Sequence, residues 1–107
     1  MSRVVLSDLN RAELTATVVQ RDVIRYTPAG IPLLDCVLLH HSEQSEAGMA
    51  RQVDFEIVGI ATGSTANHLG ECRLDRSYRF TGFLTHRSKK SKRIIFHIVD
   101  FESARKD

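Results

Sequence analysis

Apolar residues recur at every second position along much of this chain. Leu14, Ala16 and Val18 alternate with Glu13, Thr15 and Thr17, and Val53, Phe55 and Ile57 alternate with Gln52, Asp54 and Glu56. A period of two marks a half-buried strand, because successive side chains on an extended backbone point to opposite faces. The same parity assigns Phe55 to the core beside Val53 and Ile57. The first strand loses its alternation at Val19 and regains it at Ile24 and Tyr26, which predicts one long, bent strand. Thr27-Pro28-Ala29-Gly30-Ile31-Pro32 reads as a hairpin connection, since proline presets φ and Gly30 accepts a positive φ. Leu33 to His41 is apolar on both parities at first, as in a strand buried on both faces. Ser42 to Ala50 reads as a polar loop before the third strand. Arg79 to Thr85 is the fourth, with Gly82 inside it where glycine marks a bulge or bend. Ile94 to Phe101 is the fifth. Between the third and fourth, Gly63 to Gly70 predicts a short helix, capped by Ser64 or Thr65 and closed by Gly70.

At 107 residues the chain has room for one core. Five strands, a helix between the third and fourth, and a mid-strand glycine predict an all-β fold. The expected form is the five-stranded Greek-key barrel called the OB-fold. It would occupy residues 1–107 as a single domain, with 1–9 and 103–107 as frayed ends. No apolar run reaches the roughly 18 residues of a membrane span, and Val4 to Leu6 is too short for a signal peptide, so a cytoplasmic protein is expected. Cys36 and Cys72 form no C-x-x-C pair and are expected to be free thiols. His68 and Cys72 lack partners for a tetrahedral set, so no metal or other cofactor is expected. No lysine follows Gly63-Ser64-Thr65 to complete a phosphate-binding loop, and Asp54 and Glu56 read as a solvated strand face. An enzyme is the least expected class.

Net charge is only +2, but its distribution is uneven. Thr85 to Val99 holds no acid, while His86, Arg87, Lys89, Lys90, Lys92 and Arg93 cluster between the last two strands. Closely spaced cations on a flexible loop can each meet a phosphate and release its counterions. Arg21 and Arg25, before the first hairpin, and Arg51, after the polar loop, form a second basic set. Tyr26, beside Arg25 at a strand end, is the best candidate for stacking on a base.

The run Thr27 to Pro32, then Val37-Leu38-Leu39-His40-His41, then Glu46-Ala47-Gly48 resembles the primosomal replication protein N (PriB) family. Gly82-Phe83-Leu84, the basic loop and Ile95-Phe96-His97 carry the resemblance on, so that it spans roughly 10–101. It implies an OB-fold homodimer that binds single-stranded DNA in replication restart. The partners it implies are the primosome helicase PriA, DnaT and the single-strand-binding protein. Carried over by position, DNA contact falls on Arg25, His41, Arg51, Arg87, Lys89 and Arg93. Met49 and Asp54 stand where some family members carry an aromatic, and Met49 can still pack against a base. Phosphates carry no sequence information, so little sequence preference is expected. The residues themselves leave two other readings open: a protein-interaction module docked through the same loop, and an RNA-binding OB module. Apolar side chains on both parities of Leu33 to Leu39 favour a symmetric pair.

Overall fold

The structure, a computed structural model, describes residues 8–104 of the chain. Strand β1 (Ala12–Arg21) is shared between two neighbours. Its first half pairs antiparallel with β5 (Ser77–His86) and its second half with β3 (Pro32–Glu46). Strand β3 pairs with β4 (Met49–Thr62), β4 pairs in parallel with β6 (Ile94–Ser103), and β6 returns antiparallel to β5. The ring β1-β3-β4-β6-β5 is therefore closed, and it is the expected five-stranded OB barrel.

Two bulges shape the ring. On β1, Val18 faces Leu38 and Gln20 faces Val37, so Val19 is the extra residue that broke the alternation. Between β5 and β6, Thr81 faces Asp100 and Gly82 faces Ile98, leaving Val99 unpaired. The Val99 carbonyl accepts from Thr65 Oγ1 at 3.0 Å. A Cβ on Gly82 would lie 1.8 Å from the His97 carbonyl oxygen, so only glycine permits this approach.

Four expectations are corrected. The first strand is not one bent strand. It ends at Arg21, and β2 (Arg25–Tyr26) pairs only with the start of β3. Ile24 keeps the core parity because it packs beside Gly70, where a Cβ would meet Ile24 Cδ1 at 3.0 Å.

Ser42 to Ala50 is not a loop. Strands β3 and β4 stay in register from Leu33↔Thr62 to Glu46↔Met49 and form a long arm. Its two-residue tip, Ala47 and Gly48, has φ of 53° and 77°, the geometry of a type I′ turn.

The helix, α1 (Ser64–Glu71), is not capped by Ser64 or Thr65. Gly63 is its N-cap, with φ 67°, and Gly70 lies inside it rather than closing it. The last strand runs to Ser103, and the Ala104 N–H donates to the Ser77 carbonyl at 3.1 Å. That part of the expected frayed end is thus hydrogen-bonded. Residues 1–7 and 105–107 lie outside the described residues.

The core lies inside the ring. Val18, Leu34, Leu38, Phe80, Phe96 and Ile98 are fully buried, and Ala66 and Leu69 of α1 plug one end. Arg21 is structural, because its guanidinium donates to the Leu69 and Cys72 carbonyls at 2.8 Å each. A cation satisfying the last carbonyls of a helix also complements its dipole. Both cysteines are free. Burial pushes the Cys36 thiol up to about 12, so it stays protonated at neutral pH.

Candidate nucleic-acid interface

Strand parity decides which predicted contacts share a surface. On β3 the even positions Leu34, Cys36 and Leu38 enter the core, so Asp35, Val37, Leu39 and His41 face outward. Outward residues of β3 pair with Ile60, Val58, Glu56 and Asp54 of β4. Met49, Arg51, Val53 and Phe55 lie on the opposite, core-side face of the same ladder. The arm therefore splits the predicted set: His41 lies on one face, Met49 and Arg51 on the other.

Phe55 has the parity expected of a core residue but is not in the core. The arm has outrun the barrel by this point, and Phe55 is 39% exposed. Its ring lies 5.0 Å from that of His40. His40 Nδ1 donates to the Thr15 carbonyl at 2.7 Å, which fixes the imidazole beneath Phe55.

The outer face of β3 gathers three cations. Arg25, on β2 opposite Leu33, donates to Asp35 Oδ1 at 3.1 Å. Arg87, the first residue after β5, donates to Asp35 Oδ2 at 2.7 Å. Arg93 and Ile94 border a shallow groove with Val37, Glu56, Ile57 and Val58. Both ends of the basic loop thus meet the outward face of the β3–β4 ladder. Tyr26, the next residue along β2 after Arg25, is exposed and takes the other side of that strand.

Lys89, Lys90, Lys92 and the Arg93 guanidinium form no ion pair among the described residues, and His86 is exposed beside them. The loop is held by its own backbone: Ser91 N–H donates to the Ser88 carbonyl, and Arg93 N–H to Ser91 Oγ. The arm differs. Arg51 is paired with Glu46 at 2.8 Å and His41 Nδ1 with Asp54. Asp54, on the solvated face of β4, is the partner of His41.

Asp35 was missed in the sequence. The available signal was a single carboxylate inside the apolar run Leu33 to Leu39. Among the described residues, no group of three or more His, Cys, Asp or Glu is arranged to hold a metal ion. No described helix is long and apolar enough to cross a membrane.

Residues 10–100 match the model of a family described as another single-strand binding protein family. The single-stranded DNA binding protein from Thermus aquaticus has the same fold, with a TM-score of 0.70 at 22% identity over 91% of this chain and 50% of that one. The class is therefore the OB barrel of the single-strand-binding type. The replication restart protein PriB of Bordetella pertussis is 37% identical over 90 residues, 84% of either chain. The solved structure of PriB from Ralstonia solanacearum has a TM-score of 0.82 at 38% identity, covering 92% of this chain and 100% of that one. Within that class, this chain belongs to the PriB family.

Proposed function

We propose that this chain is a non-catalytic, cytoplasmic replication-restart factor that binds single-stranded DNA through its phosphates. The observation that carries the reading is the run Lys89, Lys90, Lys92 and Arg93, uncompensated among the described residues, whose base meets the outward β3–β4 face. Arg25 and Arg87 extend the positive strip along β3. His86 adds a further donor, and Tyr26, His41, Met49 and Arg51 supply peripheral contacts. The 1–107 chain acts as one domain, and a homodimer is proposed for it on family resemblance. PriA, DnaT and the single-strand-binding protein are the partners proposed for it, on family resemblance.

Anisotropy of a labelled single-stranded oligonucleotide, titrated at several salt concentrations beside a duplex and the matching RNA, tests the reading. About five phosphate contacts predict a log–log salt slope near −3.5, from roughly −0.7 per single-strand phosphate. A slope near zero, or negligible binding at low salt, sinks it and favours the protein-interaction module. A preference for the RNA favours the RNA-binding module.

A further inference from the structure

Asp35 sits where two separately delivered arginines converge. Its backbone is locked in the β3–β4 ladder opposite Ile60, and its carbonyl accepts from the Asp22 N–H at 3.0 Å. Its side chain is recessed, at 15% exposure, while those of Arg25 and Arg87 stand out at 54% and 44%. Each carboxylate oxygen takes one guanidinium, Oδ1 from Arg25 and Oδ2 from Arg87. Arg25 is carried by a two-residue strand and Arg87 by the start of the basic loop, so among the described residues Asp35 is the side chain that joins the two. Each guanidinium has five N–H donors and spends one nitrogen on Asp35. The rest remain for a ligand on the exposed side. Asp22 and Gln20 share the recess below with Cys36, Val37 and Val58.

We infer that Asp35 is a positioning residue, which joins Arg25 and Arg87 into one preorganised fork for a backbone phosphate. The inference rests on the DNA-binding reading above and deepens it. A fixed carboxylate beneath two guanidiniums holds both in one geometry before the phosphate arrives, so less side-chain freedom is lost on binding. The triad keeps a net charge of +1 facing outward. A carboxylate that merely competed with DNA would have the opposite effect, because removing its charge would strengthen attraction to phosphate. The two accounts therefore differ in sign for one substitution.

The test is anisotropy of a labelled oligo-dT at fixed salt with wild type and Asp35→Asn, with thermal melting of both. The variant is expected to bind about three- to tenfold more weakly despite its added positive charge, the size of a lost preorganisation. Equal or tighter binding overturns the inference. A double-mutant cycle of Arg25→Ala and Arg87→Ala gives a second reading should Asp35→Asn fail to fold. Losses smaller together than their separate sum support a joint fork, and additive losses overturn it. Wild type that shows no salt-dependent binding removes the functional reading itself, a result distinct from a wild type that binds as well as its Asp35→Asn variant.

Discussion

Two hairpin ends leave the barrel, and their charges are arranged differently. On the β3–β4 arm, basic side chains have partners across the ladder: Arg51 with Glu46 and His41 with Asp54. On the β5–β6 loop, Lys89, Lys90, Lys92 and Arg93 have none among the described residues. The roots differ too. The loop's hairpin is anchored at Gly82, against the His97 carbonyl, whereas the arm ends in a turn that forces Ala47 to φ 53°. An exposed ion pair contributes little to stability; Glu46 is as exposed as Arg51 and competes with a phosphate for it, whereas the recessed Asp35 leaves the outward donors of Arg25 and Arg87 open. On the proposed reading, basic residues close in composition are thus unequal candidates for phosphate, and the loop is the stronger one.

Four variants separate the arm from the loop. Gly82→Ala has the largest expected effect: a Cβ cannot coexist with the His97 carbonyl, so stability should fall by about 3 kcal/mol. Thermal unfolding should show a drop of about 12 °C or more. A melting temperature within a degree or two of wild type would mean that the loop's root can relax.

Neutralising the loop comes next. Lys89→Ala, Lys90→Ala and Lys92→Ala together should weaken single-strand binding on the order of 100-fold near 0.1 M salt and flatten the salt slope to about −1.4. The loss should be alike for all sequences. A loss confined to one sequence would point to base readout.

At the arm's tip, Ala47→Asn should stabilise the fold by about 0.5–1 kcal/mol, because asparagine tolerates the left-handed region better than alanine. Denaturant titration reads this as a raised midpoint with an unchanged slope. Arg51→Ala closes the series with a loss of affinity of about fivefold at most, since Arg51 is shared with Glu46. If its loss matched that of the triple lysine variant, the distinction between arm and loop would fail.

Much of the barrel was legible from local pattern. Val19 breaking the alternation and Gly82 inside a strand both turned out to be bulge sites, because each disturbs a period set by the backbone. Pro28 and Gly30 marked their hairpin correctly: the Gly30 N–H donates to the Thr27 carbonyl at 2.8 Å, and Gly30 has φ 85°. The arm was not legible. Ser42 to Glu46 is polar on both faces, and a ladder held by main-chain hydrogen bonds leaves no apolar alternation to read. Phe55 misled for a related reason. Parity reports which face a side chain takes, not whether the barrel extends far enough to cover it.

By itself, the sequence determined the strand periodicity, the turns that need glycine or proline, and the placement of cations in one acid-free run. Those are properties of neighbouring residues, and they survive without any knowledge of distant contacts. Which basic side chains find an acidic partner is settled by the tertiary structure alone. Asp35 meets Arg87 across 52 positions of chain, and Asp54 meets His41 across 13. Pairings of that range depend on barrel closure and ladder register, which bring basic and acidic side chains within hydrogen-bond reach without leaving a local trace in either segment.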